Sequence, residues 1–144
     1  MARMMTIRTM TINDYEQVYT LWLSTPGMGL NDWDDSKDGI EKYLARNPTT
    51  CFVAEEGGQI VGVILSGHDG RRGFIHHTAV DGGSQRRGLG SALVNAAVSA
   101  LKLEGIRKVA LVVFGENGKG NAFWEKRGFA ARDDLIYRNR ALAK

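Results

Sequence analysis

Apolar and polar positions along this chain switch between a period near two and a period near 3.6 residues. Residues 5–10 alternate and predict a first strand. Over about 12–24, Tyr15, Val18, Tyr19 and Trp22 recur at i, i+3, i+4 and i+7, the spacing of a helix with one apolar face, and Thr11 stands where a cap belongs. Ser24-Thr-Pro-Gly-Met-Gly-Leu30 breaks that pattern. Ser36 then caps a second predicted helix with Ile40, Tyr43 and Leu44 inward, and Asn47-Pro48 stops it. Strands at 51–55 and 59–67 are joined by Glu56-Gly57-Gly58 as a hairpin. A strand at 74–80, a helix at 88–104, a strand at 108–114, a helix at 119–127 and short strands near 129–133 and 135–141 complete the order. The run KVALVVF at 108–114 is continuous, as in a strand buried on both faces. This mixture predicts an α/β (α+β) fold in one domain spanning 1–144, with no repeat, linker or low-complexity tract.

The junction of strand 74–80 and helix 88–104 carries chemistry as well as packing. FIHHTAV runs into DGGSQRRGLG, and the apolar helix follows at once. A helix that starts at residues 88–91 presents backbone N–H groups with no partner inside the helix. Those donors and the positive end of the helix dipole suit a phosphate or pyrophosphate. Gly88 and Gly90 carry no side chain to keep an anion from the backbone. The spacing is neither the GxGxxG of a dinucleotide-binding turn nor the GxxxxGK[ST] of a P-loop.

Gln85-Arg86-Arg87-Gly88-Leu89-Gly90 resembles the coenzyme A pyrophosphate loop of the GNAT superfamily of acyl-CoA-dependent N-acyltransferases. Downstream, Asn117-Gly-Lys-Gly-Asn121-Ala-Phe-Trp-Glu-Lys-Arg-Gly128-Phe129 is similar to the family's next segment, where an Asn precedes a short helix ending in an aromatic, a charged pair, Gly and Phe. The likeness covers nearly the whole chain and is least specific in the N-terminal third. It implies a central mixed, mostly antiparallel sheet flanked by helices, with the strands at 74–80 and 108–114 splayed apart at the cofactor site. It also implies acetyl transfer from acetyl-CoA to a primary amine (small molecule, amino acid or protein amine) by direct attack. The pantetheine arm would pair with the backbone of Thr78, Ala79 and Val80 as a peptide adds to a sheet edge. The pyrophosphate would lie on N–H groups from Gln85, Arg86, Arg87, Gly88, Leu89, Gly90 and Ser91. An N–H near Val80 would polarise the thioester carbonyl, and Asn117 would contact the pantetheine arm, unless it is a plain turn residue.

Two positions depart from the family's pattern. Where a tyrosine commonly protonates the leaving thiolate, this chain has Trp124, whose indole donates a hydrogen bond but is no acid near neutral pH. Packing is the alternative role for Trp124, and Tyr137 is the substitute candidate for the acid. Where some members carry a Glu early on the strand before the loop, this chain has Phe74. Strand alternation puts His76 on the face of Phe74 and His77 on the other, so His76 is the candidate base, directly or through water. A half-buried strand histidine without a proton role is the competing assignment. For the acceptor, Asp32, Asp34 and Asp35 with Trp33 would hold an ammonium by charge and ring contact, or form a solvated, helix-capping loop. Asp69 at the tip of 68–73 would orient an amine, with Arg71 or Arg72 on an acceptor carboxylate, or it closes an Asp-Gly turn.

Composition adds limits. The net charge of +3 hides an asymmetry: residues 1–72 hold 7 Lys/Arg against 10 Asp/Glu, and residues 73–144 hold 12 against 6. A phosphate-rich cofactor suits the basic half, and a cationic acceptor such as an amine suits the acidic half. No nucleic-acid motif accompanies the basic half, and no nucleic-acid partner is expected. The lone Cys51, in the strand-like CFVA, is expected to be an inert core thiol in the reducing cytoplasm. No apolar run approaches a membrane span, and Met1–Met10 does not resemble a secretory leader. Residues 1–4 are set aside as disordered or vector-derived. The three histidines and one cysteine lack metal-ligand spacing, so no metal is expected. Monomer and homodimer are both open. Two other activities compete with acetyl transfer: acyl-CoA binding without turnover, as a sensor or partner-controlled module, and a basic nucleic-acid-binding α/β domain.

Overall fold

The computed structural model describes residues 4–85 and 88–142. Two compact units make up the chain, one reaching to Val112 and one starting at Val113. The first holds a five-stranded sheet in the order β1-β2-β3-β4-β5, with β1 Met5–Thr9, β2 Phe52–Glu56, β3 Gln59–His68, β4 Gly73–Val80 and β5 Val109–Ala110. Neighbours are antiparallel except β4 and β5, which are parallel and joined through a helix. Gly57 and Gly58, at φ +57° and +79°, make the tight β2–β3 turn that only residues tolerant of positive φ form.

Helices α1 (Tyr15–Leu23) and α2 (Lys37–Arg46) cover one face of the sheet, where Val18, Leu21, Trp22, Ile40 and Leu44 bury against Val53, Val63, Leu65 and Ala79. The helical period anticipates these residues, but the first turn of the predicted 12–24 helix is a 3-10 turn, Ile12–Asp14. There the Asp14 carboxylate accepts the Thr11 N–H at 2.9 Å and also pairs with Arg8 at 2.8 Å. Ser36 caps α2 as expected, its Oγ accepting the Gly39 N–H at 3.1 Å. Helix α3 (Leu89–Leu103) lies on the other face, where Leu93 and Leu101 meet Gly62 and Gly73. Cys51 is buried, its Sγ 3.2 Å from the Ser66 carbonyl, and burial pushes its thiol pKa up to about 12. That is an unreactive thiol, as expected.

Close approach explains one glycine of β3. A Cβ on Gly67 would stand 2.5 Å from Tyr43 Oη and 2.7 Å from the Asn47 side chain. Asn47 cannot retreat freely, because its Oδ1 accepts the His68 N–H at 3.0 Å. Gly67→Ala is therefore expected to destabilise the fold by about 1–3 kcal/mol, the usual cost of overpacking, read as a lowered midpoint in urea.

β4 is not a regular strand. Leu65 pairs with His76 and Val63 with Ala79, so Ile64 alone faces both His77 and Thr78. This is a bulge, and His77 sits in it at φ +39°, which costs a non-glycine residue about 1–3 kcal/mol. The bulge overturns the alternation expected for the histidines. His76 does share the face of Phe74 (ring centroids 4.6 Å apart) and meets Tyr43 of α2 at 5.8 Å. His77, expected on the opposite face, meets Trp22 of α1 at 5.2 Å on the same side.

The strand expected at 108–114 shrinks to Val109–Ala110, and its residues alternate between half-buried and exposed instead of being buried on both faces. In the second unit, α4 (Gly118–Lys126) is capped by Asn117, whose Oδ1 accepts the Gly120 N–H at 2.9 Å. Gly128, at φ +91°, ends α4 and lets Phe129 N–H reach the Trp124 carbonyl at 3.0 Å. The strands expected near 129–133 and 135–141 do not form among the described residues. Leu135-Ile136-Tyr137 has strand-like composition, but all three side chains are exposed, with no ladder to join.

Candidate active site

β4 loses its partner on one side after two residues. The parallel ladder joins Gly73 to Val109 and Phe74 to Ala110, and β5 then ends. From Ile75 to Val80 that edge of β4 has no strand beside it among the described residues. On the other side, the Asp81 N–H donates to the Val61 carbonyl at 2.8 Å. In an antiparallel ladder hydrogen-bonded and non-bonded pairs alternate, so the next pair, Val80 with Gly62, is non-bonded. The Val80 amide therefore faces the open edge. Its carbonyl accepts Gln85 Nε2 at 3.2 Å, which folds the loop back onto the strand end. Ala79 is buried and Thr78 half-buried, with Thr78 Oγ1 lacking a hydrogen-bond partner.

The chain leaves β4 through a short 3-10 turn in which the Asp81 carboxylate accepts the Gly83 N–H at 3.2 Å. Gly88, at φ +76°, then sets the direction of α3, and Leu89 plugs into the core. Leu89 and Gly90 take up the first positions of α3, where a helix leaves its backbone N–H groups without intrahelical partners. Of the loop residues singled out in the sequence, Gln85 lies against the Val80 carbonyl, Gly88 caps α3, and Leu89, Gly90 and Ser91 form its first turn. Arg86 and Arg87 lie outside the described residues.

On the α1–α2 side, His76 keeps one side open to solvent while Phe74, Tyr43 and His77 crowd the other. Burial, and secondarily the neighbouring His77, lower the pKa of His76 below the ordinary histidine value, partly opposed by Asp35 and Asp34. The imidazole is therefore neutral at pH 7 and able to accept a proton.

The acidic loop divides. Asn31 Oδ1 accepts the N–H groups of Trp33 and Asp34 at 3.0 and 2.8 Å, and this turn leaves Asp32, Trp33 and Asp34 exposed. Asp35 instead turns inward, 3% exposed, with Oδ1 2.9 Å from His77 Nε2. Asp35 and His77 are the residues that sequence reasoning misplaced. Asp35 stands in an acidic run that the sequence presents as solvent-facing, and alternation alone puts His77 on the opposite face. Asp69 closes its own turn, Oδ1 accepting the N–H groups of both Arg71 and Arg72 at 2.8 Å, so that oxygen is committed.

In the second unit, Trp124 packs edge-on against Phe123 and Phe129 at 5.0 and 5.2 Å, the packing role foreseen as its alternative. Tyr137 is 67% exposed, with Asn139 Nδ2 3.5 Å from its hydroxyl. Asn117 uses its Oδ1 as the helix cap. Among the described residues no cluster of three or more His, Cys, Asp or Glu is arranged to hold a metal ion, and no helix is long and apolar enough to cross a membrane.

A bulged strand with an open edge thus runs toward a glycine-capped helix, and comparison with known proteins identifies the class of enzyme. The acetyltransferase (GNAT) family model matches residues 15–129, and the chain belongs to that family. An acetyltransferase of Sodalis glossinidius is 33% identical over 132 residues, covering 92% of each chain. Among solved structures, Ard1 from Thermoplasma volcanium is similar with a TM-score of 0.78 at 27% identity, covering 88% of this chain and 82% of that one. The PaiA N-acetyltransferase of Thermoplasma acidophilum, solved in complex with coenzyme A, shares the fold at a TM-score of 0.78 and 19% identity, over 90% of this chain and 92% of that one. Membership of the acetyltransferase (GNAT) family makes acetyl-CoA the co-substrate.

Proposed function

We propose that this enzyme moves the acetyl group of acetyl-CoA onto a primary amine by direct attack. The observation that carries this reading is the open edge of β4 with the Val80 amide turned outward, followed along the chain by the glycine-capped N-terminus of α3. The pantetheine arm adds to the edge at Thr78, Ala79 and Val80, and the pyrophosphate lies on the α3 N-terminus from Gln85 to Ser91, with Arg86 and Arg87 supplying charge. The amine nitrogen attacks the thioester carbonyl, whose oxygen gains charge against the Val80 N–H. The C–S bond then breaks, and the amine's proton passes to His76 directly or through water. With a pKa of about 8–9, the thiol leaves as thiolate without a strong acid.

The acceptor is a cationic amine. Asp32 and Asp34 are exposed on the acidic loop beside Trp33, a charge and an aromatic face suited to an ammonium group. Asp69 is a weaker candidate, because its turn already holds one of its oxygens. The test is calorimetric titration with acetyl-CoA at low and moderate salt, followed by thiol release with a panel holding a small diamine, an amino acid and a peptide α-amine. One-to-one binding that survives moderate salt, with thiol release on the cationic acceptors, is expected. Binding without any release would leave only acyl-CoA recognition, and no binding would remove the reading.

A further inference from the structure

Asp35 and His77 meet across 42 residues of sequence, from the segment before α2 to the bulge of β4. Acetyl transfer as described above assigns a role to neither His77 nor the pair. Asp35 is buried and fully engaged. Its Oδ2 accepts the Asn31 N–H at 2.9 Å, its carbonyl accepts the Tyr15 hydroxyl at 2.6 Å, and its N–H donates to the Asn31 carbonyl at 3.1 Å. An ionised carboxylate only accepts, so His77 carries its proton on Nε2 toward Oδ1. The backbone of His77 is held as well, since Trp22 Nε1 donates to its carbonyl at 3.0 Å. A non-glycine residue at φ +39° persists only where its surroundings over-determine it. Here the surroundings are Asp35 on the ring and Trp22 on the carbonyl.

The bulge has a consequence two residues on. Without it His77 alone would face Ile64, Thr78 would face Val63, and Val80 would slip to oppose Val61. Val80 would then give its N–H to the Val61 carbonyl, which in the bulged strand receives Asp81. The open edge would lose the one amide placed for the thioester.

We propose that Asp35 is a positioning residue for acetyl transfer: through His77 it holds the β4 bulge that turns the Val80 amide to the open edge. The inference rests on the assignment of Val80 as the donor to the thioester carbonyl. It ties the acidic segment before α2 mechanically to the reacting centre.

The test compares Asp35→Ala, Asp35→Asn, His77→Gln and the double variant Asp35→Ala/His77→Gln in the full-length chain, using acetyl-CoA and the best amine of the panel. For Asp35→Ala, kcat is expected to fall about 100-fold, the scale of a misplacement of about 1 Å. Acetyl-CoA affinity by calorimetry should fall by a smaller factor than kcat, since the α3 N-terminus is untouched while the β4 edge that takes the pantetheine arm shifts with Val80. Asp35→Asn keeps one acceptor oxygen and should recover part of the loss. The double variant should be no worse than the poorer single one, as expected for groups acting as a unit. Independently of turnover, the ¹⁵N resonances of His77 should report an Nε2–H tautomer in the unaltered protein and lose that bias in Asp35→Ala. Folded variants with unchanged kcat, or losses that multiply in the double variant, overturn the proposal alone. Should Asp35→Ala fail to fold, Asp35→Asn and His77→Gln decide, and unchanged kcat in both overturns it. An unaltered protein that does not bind acetyl-CoA overturns the acetyl-transfer reading and this proposal together.

Discussion

Replacing Gly90 with glutamate is expected to weaken acetyl-CoA binding by about 100-fold or more while leaving the melting temperature unchanged or raised. The two effects have opposite signs for one reason. Gly90 is the second residue of α3, where the helix dipole welcomes a negative charge. A glutamate there gains roughly 0.3–1 kcal/mol from the dipole and a further several tenths from replacing glycine inside a helix. With the pyrophosphate placed as proposed above, the same carboxylate would occupy its position and repel it. A fold defect cannot mimic this result, because a damaged fold loses stability along with affinity. Gly88→Ala is the contrasting control. An added Cβ there meets nothing within 4 Å, but the φ of +76° is unfavourable for any residue with a side chain. That change should cost stability by about 1–2 kcal/mol and affinity only modestly. Calorimetry and thermal melts on the two variants check both statements, and unaltered affinity in Gly90→Glu would show that the anion binds elsewhere.

The parts of this molecule that could be read from sequence are those set by local chemistry. Val18 and Trp22 are buried where the helical period puts them, and Ser36 caps α2 through its own hydroxyl. Gly57-Gly58 makes its turn and Gly88 starts its helix because no neighbour is needed to favour positive φ at glycine. What escaped sequence reading was decided by distant partners. The run at 108–114 has ample strand propensity, but a strand is as long as the ladder it joins, and β4 accepts β5 at only two register positions. His77 breaks the alternation rule because Trp22 and Asp35, 55 and 42 residues away in sequence, hold it in a bulge. Nor does the sequence distinguish Asp35 from Asp32 and Asp34. The turn built on Asn31 decides which aspartate faces inward.

The same division applies to the proton acceptor. His76 stood out as a candidate from alternation with Phe74, and the crowding that tunes it comes from α2 and from the bulge. Because its pKa is lowered, chiefly by burial, His76 stays neutral to more acidic pH than an ordinary histidine. The acidic limb of kcat/KM is therefore expected below about 6.5, the unperturbed value. His76→Gln keeps a polar side chain of similar reach but accepts no proton, and kcat should fall by about 10²–10⁴-fold with that limb lost. Retention of both rate and limb would assign the proton to water or to an amine already neutral in solution. Stability carries a second signature. Below about 6.5 the unfolded chain takes up a proton that folded His76 resists, so the unfolded state binds more protons and stability falls as pH drops. The loss begins near the unfolded value and levels off once pH passes below the folded one. His76→Gln removes this contribution, so urea midpoints measured from pH 7 to pH 5 should decline less in the variant than in the unaltered protein. A rate effect without this stability difference would mean that His76 takes part in the reaction while titrating as an ordinary histidine. A stability difference without a rate effect would mean that it is crowded by packing alone.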